Sequence, residues 1–366
     1  MYSKLKVLLL VAEFPFWRHA RHLSYSAQLG IEEGLRASGV ECLTVPSLWF
    51  PKALKLCNKR KFDHVWVVGR LDIFDQATIE SLPRIAPVRV GMVAECFEYD
   101  ESECRISPTL KTRSEKLRTR LQYLTHIAAC DEKDVEDLNK RRGIPAIWWP
   151  QAVPERFISD DVAPPSVDRA VFYGASYGLR LDWLRRADVK RVLAHPRSPE
   201  NGTVYPLLFN SLHLPLHWPF RGAVSGRDRL LAEYLPRWRH VRERCFESWL
   251  KALQRGAAVV NLPHFVRTYA GRVVEGMAAG RPVISWEIPG RARNRALFEA
   301  EQEILLYSGD DPGELTSQID RILSDTALSR RITVNARRKL RRFHTTETRV
   351  QQILDWVAEG RVPSYS

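Results

Sequence analysis

The chain has 366 residues, of which 45% are hydrophobic and 27% are charged, a balance typical of globular proteins that excludes a disordered chain. There are 56 Lys and Arg against 43 Asp and Glu, so the formal net charge is +13 and we expect an anionic partner. No apolar run reaches the ~18 residues of a membrane-spanning helix, and the apolar segment 6–12 lacks a signal-peptide cleavage site. We therefore expect a cytoplasmic protein of about two domains.

The first 150 residues alternate between short apolar runs and helical patterns. The runs at 7–12, 41–45, 64–68, 88–93, 125–129 and 146–149 predict strands, and the stretches 78–82, 110–121 and 132–141 predict helices between them. Strands that alternate with helices and are apolar on both faces indicate a parallel sheet that is covered on both sides.

Residues 150–165 hold four prolines among polar residues, a composition typical of an interdomain linker. Strands predicted at 169–173, 192–194, 257–261, 282–286 and 304–307 restart the alternation, and two amphipathic helices end the chain. We expect an α/β protein with two Rossmann-like, doubly wound domains that face a cleft. The expected domains are residues 1–155 and 156–345, with a terminal helix at 346–366 that returns toward the first domain.

The stretch RVVEGMAAGRPVIS at 272–285 carries the clearest chemical signal. Glu275 lies in the first turn of a predicted helix, Gly280 caps the end of that helix, and a strand follows at once. A carboxylate that faces the ends of the strands can accept hydrogen bonds from both hydroxyls of a ribose. Alternatively, the Glu275 carboxylate only complements the helix dipole.

Several stretches together resemble the group 1 glycosyltransferases of the GT-B fold, and are most similar to the CgeB-like branch (glycosyltransferase family 4-like). In chain order they are residues 129–153, VFYGASYGLR at 171–180, Asn261, residues 272–284, LFEAEQEILLY at 297–307, and the motif of His344, Thr345 and Arg349. The resemblance implies that the N-terminal domain binds the acceptor and the C-terminal domain binds the donor. It further implies an enzyme that transfers a sugar from a nucleoside-diphosphate sugar to an acceptor hydroxyl.

The resemblance also implies roles for particular residues of the C-terminal domain. Glu275 would bind the ribose hydroxyls, and the turn of Gly174, Ala175 and Ser176 would approach the diphosphate with its backbone N–H groups. Arg180 would add a cation near the diphosphate, or would be a surface arginine of the first helical turn. The remaining donor-side candidates are Arg272, which would contact phosphate or brace Glu275, and Ser285, which would form part of the pocket wall.

The sequence departs from the pattern of many retaining members of the family, which carry two glutamates separated by seven residues. Counting back from Glu275, the first of these positions holds Arg267. The anomeric outcome is therefore open between retention and inversion, and Arg267 is a candidate to hold phosphate or an acidic sugar.

Candidates for a general base are His19 and His22, which follow the first predicted strand. Loops at the carboxyl ends of strands face the ligand in such folds, which favours these two histidines over others. We expect no metal and no other cofactor, because GT-B enzymes do not require a metal and the sequence has no Asp-x-Asp motif.

Two basic stretches, residues 111–120 and 237–244, contribute much of the positive charge. They are either solvated helix faces, or surfaces that contact an anionic acceptor, the inner face of a membrane or nucleic acid, although no nucleic-acid-binding motif is present. Two other functions stay open. One is a glycosyltransferase that acts on nucleic-acid bases, and the other is a non-catalytic protein that binds nucleotide sugars.

Overall fold

The computed structural model describes residues 2, 4–12, 29–46, 49–50, 61–174, 176–195 and 228–365, with the backbone alone for 228–231. These residues form two compact units. The first holds residues up to 149 together with 228–244 and 346–363, and the second holds 150–195, 245–345 and 364–365. The two predicted parallel sheets are confirmed, one in each unit.

The first unit is built on a sheet whose strands run in the order β2-β1-β3-β4-β5-β6, with every neighbouring pair parallel. Its strands are β1 Lys6–Val11, β2 Glu41–Pro46, β3 His64–Gly69, β4 Val88–Val93, β5 His126–Ala129 and β6 Ala146–Trp148. Its first five helices are α1 Leu29–Ala37, α2 Gln76–Ile85, α3 Glu101–Ile106, α4 Thr109–Arg120 and α5 Glu132–Arg141. The central strands β1 and β3 are almost entirely buried, as a sheet covered on both faces requires.

The second unit is built on a sheet with the strand order β11-β10-β9-β7-β8, and its pairs are also all parallel. Its strands are β7 Val167–Val171, β8 Leu193–Ala194, β9 Gly256–Asn261, β10 Val283–Trp286 and β11 Leu305–Tyr307. The remaining helices of the chain, in sequence order, are α6 Leu179–Arg185, α7 Ala187–Val192, α8 Asp228–Gln254, α9 Gly271–Ala278, α10 Ala292–Arg295, α11 Pro312–Ser324, α12 Thr326–Phe343 and α13 Thr346–Glu359.

The strand order of the second sheet changes direction at β7. The chain leaves β7 toward β8 on one side, and the next strand, β9, returns to the other side of β7. In open parallel sheets, ligands bind beyond the carboxyl ends of the strands at such a switch point. A candidate site is therefore expected where β7 and β9 end.

Close packing holds α9 against the sheet at two glycines. A Cβ on Gly276 would lie 3.0 Å from Val259 of β9 and 3.1 Å from Val283 of β10, so a larger residue would push the helix away. Gly280 follows the helix with a φ of +75°, and a Cβ there would lie 2.1 Å from Val162. Glycine is thus required at the predicted helix end, and the position of α9 over the sheet is set.

Helix α8 differs from the expected domain ranges, because its residues up to Arg244 pack in the first unit and only the rest lies in the second. Arg239 donates to the buried Glu32 of α1 at 2.9 Å, and the ring of Tyr234 lies 5.1 Å from that of Trp49. These contacts tie that half of α8 to the first unit. The terminal helix α13 also belongs there, where Val350 packs closely against Gly34 of α1.

The two predicted basic stretches are largely engaged within the first unit. In α4, Arg113 donates to Glu95 at 2.5 Å, and the buried Arg120 donates to the carbonyl of Phe74 at 2.6 Å. In α8, Arg242 is fully buried and Arg239 bonds Glu32. The named arginines of these stretches are therefore engaged within the unit, while Lys111 and Lys116 of α4 are exposed. Within the described residues, none of the helices combines the length and the apolar character that crossing a membrane requires.

Candidate functional site

Arg272 connects the ends of the two strands that flank the switch point. It lies near the start of α9, donates from Nε to the carbonyl of Tyr173 after β7 at 3.0 Å, and from Nη1 to Oδ1 of Asn261 in β9 at 3.1 Å. Its guanidinium also lies 4.8 Å from the ring centre of Phe172. Burial, followed by the nearby charge of Arg180, lowers the pKa of Arg272 to about 9. An anion bound here would offset the cost of holding this charge away from water.

Arg180 lies close to Arg272 but is tied to the protein interior. It is only 2% exposed, which rules out the expected alternative of a surface arginine. Its Nε donates to the carbonyl of Pro263 at 2.5 Å and its Nη2 to that of Leu262 at 3.0 Å, so it holds the loop that follows β9. Burial lowers the pKa of Arg180, and the ring of Tyr177 lies 4.9 Å from its guanidinium.

The turn after β7 contains Gly174 and Ser176, while Ala175 lies outside the described residues. A Cβ on Gly174 would come within 2.7 Å of both the Arg272 guanidinium and the Phe172 ring, so the turn approaches the arginine without a side chain between them. The exposed Ser176 hydroxyl lies 3.2 Å from Nε2 of His195, which follows β8. The turn and the two arginines therefore gather at one end of the sheet.

His195 is held by a hydrogen bond to the residue that follows β7. Its Nδ1 lies 2.9 Å from the carbonyl oxygen of Phe172. Because a carbonyl only accepts hydrogen bonds, Nδ1 carries a proton and donates to Phe172, which leaves Nε2 facing the Ser176 hydroxyl. No local sequence signal favours this histidine, because its role depends on the neighbouring strand end.

Glu275 is buried in the second turn of α9, not in the first turn as expected, because the helix begins at Gly271. The helix dipole acts within the first turn, so complementing it does not explain this carboxylate. Its Oε2 accepts a hydrogen bond of 2.9 Å from Nε1 of Trp249, a residue of α8. The Trp249 ring in turn lies edge-on to Tyr173, with the centroids 5.7 Å apart. Trp249 therefore orients the carboxylate beside the strand ends.

Ser285 lies below the surface, and the expectation that it forms part of the pocket wall is wrong. Its side chain is fully buried, accepts a hydrogen bond from Nδ2 of Asn261 at 3.0 Å and donates to the carbonyl of Trp286 at 3.2 Å. Tyr307 donates to the carbonyl of Asn261 at 2.9 Å, and burial keeps its pKa high and its hydroxyl protonated. Ser285 and Tyr307 thus fix Asn261, which in turn receives Arg272.

Arg267 lies half-buried in the loop between β9 and α9. The two residues that follow are anchored by Asn294, whose Oδ1 accepts from the Thr268 hydroxyl at 3.2 Å and from the Tyr269 backbone N–H at 3.0 Å. The loop that carries Arg267 is therefore held in place. The candidate bases His19 and His22 lie outside the described residues.

The site contains residues that the sequence did not single out for it. Trp249 lies 26 positions before Glu275 on a different helix, and no local pattern connects the two. Tyr173 contributes its backbone carbonyl, which any residue could supply. Asn261 was noted as part of the family resemblance, and its position as the last residue of a strand was the signal that could have identified it.

Comparisons with known proteins agree with this architecture. Residues 211–355, less than half of the chain, match a family described as glycosyl transferase-like. Comparison with characterised protein sequences gives no significant match.

Several solved structures resemble the chain over nearly its whole length. Sucrose-phosphate synthase from Thermosynechococcus elongatus is 13% identical with a TM-score of 0.57, and the alignment covers 97% of this chain and 99% of that one. An α-glucosyltransferase solved with UDP and a 13-mer DNA containing a HMU base is 14% identical with a TM-score of 0.59, covering 97% and 100%. Anabaena HepE solved with UDP-glucose is 13% identical with a TM-score of 0.52, covering 96% and 99%. With its two parallel sheets, the chain has the fold of the GT-B glycosyltransferases.

Proposed function

We propose that the chain is a glycosyltransferase that transfers a sugar from a nucleoside-diphosphate-sugar donor to an acceptor hydroxyl. The observation that carries the proposal is the pairing of two groups at the switch point of the second sheet. A carboxylate, Glu275, is oriented by an indole N–H, and a cation, Arg272, bridges the ends of β7 and β9 one helical turn away. Such a donor requires both an acceptor of ribose hydroxyls and a cation for its diphosphate.

The residues can be assigned to parts of the donor. Glu275 binds the ribose hydroxyls, whose O–H groups donate to its carboxylate oxygens. Arg272 and the Gly174–Ser176 turn face the diphosphate, with the glycine leaving room for the anion to approach the backbone. Arg180 supports this arrangement by holding the loop after β9. Arg267, in the position of the first glutamate of many retaining enzymes, contacts a phosphate or an acidic sugar.

Departure of the nucleoside diphosphate develops negative charge on the leaving oxygen. Arg272 lies where it would stabilise this charge, and its partial burial strengthens the interaction because little water screens it. Ser176 adds a hydroxyl that can turn from His195 to the leaving phosphate. We propose that these groups act without a metal or another cofactor, and that His19 or His22 serves as the general base for the acceptor.

The donor base is tested by thermal shift with a panel of nucleoside diphosphates and their sugars. Two of the similar structures were solved with UDP or UDP-glucose, so UDP-sugars are tested first, followed by GDP- and TDP-sugars. Release of free nucleoside diphosphate from the sugar donor then measures hydrolysis or transfer. Stabilisation without turnover across the panel would support a non-catalytic binding protein and reject the enzyme.

Replacing Glu275 with Gln tests the ribose assignment. We expect donor affinity to fall about tenfold to a hundredfold, because the loss of hydrogen bonds to a charged group costs about 1.5–3 kcal/mol. The difference should vanish for a nucleotide that lacks both ribose hydroxyls. Glu299→Gln is the matched control, since this exposed glutamate of the same unit lies away from the site, and isothermal calorimetry measures all three proteins. Equal affinities of the wild type and Glu275→Gln would remove Glu275 from the site.

A second experiment tests which class of acceptor the protein uses. The net charge of +13 favours an anionic acceptor, and one similar structure was solved with DNA carrying a modified base. Offering hydroxymethylated duplex DNA beside glycan and lipid-linked acceptors would separate a base-modifying enzyme from the alternatives. Transfer to the DNA would establish the second candidate function.

A further inference from the structure

Helix α12 carries a concentration of positive charge that the donor site does not use. Its 18 residues include six arginines and one lysine, and no Asp or Glu. The buried residues Leu328, Ile332, Ala336 and Leu340 fall on one side at helical spacing and pack into the second unit. The six arginines are therefore left on the other side.

The exposed side of α12 is almost entirely arginine. At ~100° per residue, Arg330, Arg331, Arg337, Arg338, Arg341 and Arg342 fall within an arc of about 140°. Val334 lies within the same arc and is 38% exposed. From Arg330 to Arg342 this α12 basic face extends about 18 Å along the helix.

Little of this charge is neutralised. Arg330, Arg338 and Arg342 are exposed and form no ion pair with any residue that the structure describes. Arg341 pairs with Asp160 at 2.8 Å, and Arg337 donates to the carbonyl of Ser159 at 2.7 Å.

A groove of about 410 Å³ runs beside these residues and is lined by four of the arginines together with Asp160 and Val334. Glu299 and Glu303 line a second groove with Arg338 and Arg342 but form no ion pair with them. The α12 basic face thus presents a largely positive surface on which, among the described residues, only Asp160 pairs with an arginine.

Helix α4 shows the contrast. Its sequence is also basic, but Arg113 and Arg118 pair with Glu95 and Glu98, and Arg120 is buried. A basic sequence therefore does not by itself produce an unneutralised surface. The α12 basic face differs because the helix itself carries no carboxylate, and of the described carboxylates around it only Asp160 pairs with one of its arginines.

We propose that the α12 basic face docks on a bilayer that contains anionic phospholipids. Lipid phosphates are mobile in the plane and can arrange themselves under arginines that spread over an arc of about 140°, whereas the phosphates of a nucleic acid follow a fixed path. Asn335 and Phe343 lie at the edge of the face. The Asn335 amide already donates to the Gln302 carbonyl, and Lys339 and Arg342 lie over the Phe343 ring, so neither is presented to a base. The single exposed valine indicates adsorption at the level of the headgroups without deep insertion.

The physical consequence is an attraction that depends on both lipid charge and salt. Each basic residue near an anionic bilayer contributes about fivefold in partitioning, so three unpaired arginines together contribute about a hundredfold. Because the Debye length is ~8 Å at physiological ionic strength, added salt should weaken the attraction.

The test is co-sedimentation of the whole chain with vesicles of phosphatidylcholine, with and without about one third phosphatidylserine. We expect binding to the anionic vesicles alone, with loss at high salt. The triple variant R330E/R338E/R342E should bind at least about a hundredfold less tightly, because three attractive charges become repulsive. These side chains are exposed, so circular dichroism should show unchanged folding.

The matched control is K111E/K116E/K133E, which changes the net charge by the same amount at exposed lysines of the first unit. It should retain binding to the anionic vesicles. Equal loss in both triple variants would show that net charge alone matters and would overturn the assignment of the surface. Absence of vesicle binding by the wild type, or salt-sensitive binding to duplex DNA that the α12 variant alone loses, would overturn the bilayer as the partner.

Discussion

At the scale of single residues, the site depends on groups that hold the ligand-binding side chains in place. Trp249 donates its indole N–H to Glu275, and Asn261, itself held by Ser285 and Tyr307, accepts from Arg272. Arginine and glutamate side chains have several rotatable bonds, and fixing them before the ligand arrives lowers the entropy lost on binding. Replacing a supporting residue should therefore change donor affinity, as replacing a contacting residue would.

Trp249→Phe tests whether the indole orients the carboxylate. The ring and its contact with Tyr173 are retained, while the hydrogen bond to Glu275 is lost. We expect donor affinity to fall about fivefold to tenfold, which corresponds to one hydrogen bond of about 1–1.5 kcal/mol. The effect should disappear in the Glu275→Gln background, because the two residues act through one interaction.

The control for the aromatic replacement is Trp149→Phe. The buried Nε1 of Trp149 has no hydrogen-bond partner in the described structure, so this variant measures the general cost of exchanging the ring. A fall in affinity of the same size in both variants, or an undiminished Trp249→Phe effect without Glu275, would show that Trp249 has only a packing role.

At the scale of elements, the backbone conformation at helix ends decides where the functional side chains lie. Arg186 has an extended backbone with ψ of 140° and separates α6 from α7. The glycine that ends α9 has a positive φ and lies against Val162, which fixes the end of the helix that carries Arg272 and Glu275. Moving this end would shift both side chains relative to β7 and β9.

Gly280→Ala should destabilise the second unit by about 2–4 kcal/mol. A left-handed backbone costs a residue with a Cβ about 1–2 kcal/mol, and overpacking against Val162 adds to this cost. Gly143 has a φ of +62° with nothing within 4 Å of the point where a Cβ would lie, so Gly143→Ala should carry only the conformational cost of about 1 kcal/mol. Urea unfolding measures both variants, and equal losses would show that contact with Val162 does not matter.

At the scale of the whole molecule, the candidate donor site is contained in one unit. Arg180, Arg272, Glu275 and Trp249 all belong to the second unit, although α8, which carries Trp249, begins in the first. A ligand that binds the folded state protects the segments it contacts from local opening. The location of protection therefore reports directly on the site.

Hydrogen–deuterium exchange with the best nucleoside diphosphate of the panel should show slower exchange at residues 172–180 and 261–276. These segments hold the turn after β7, the end of β9 and helix α9. Exchange in α4, whose arginines bond within the first unit, should stay unchanged and serves as the internal control. Protection confined to segments outside the second unit would place the nucleotide elsewhere.

Much of the fold was predictable from the sequence because its signals are local. Apolar runs of the length of a buried strand predicted most strands of the two sheets to within a few residues, and the prolines at 150–165 marked the passage into the second unit. Helix α8 was not predicted. Its amino-terminal half leaves the expected domain because a buried Glu32 on a distant helix receives Arg239, a pairing that no local pattern encodes.

The sequence by itself determined the α/β class, the two parallel sheets and the candidates Arg272 and Glu275, since periodicity, turn residues and motif spacing are carried by neighbouring positions. Only the tertiary structure decided that Arg180 is buried, that Ser285 supports Asn261 and that Trp249 orients Glu275. It also decided that the arginines of α4 are paired or buried, while three arginines of α12 are exposed without an ion pair among the described residues. The physical reason is that burial, hydrogen-bond partners and charge neutralisation depend on residues far apart in the chain, which meet only when the sheets and helices pack.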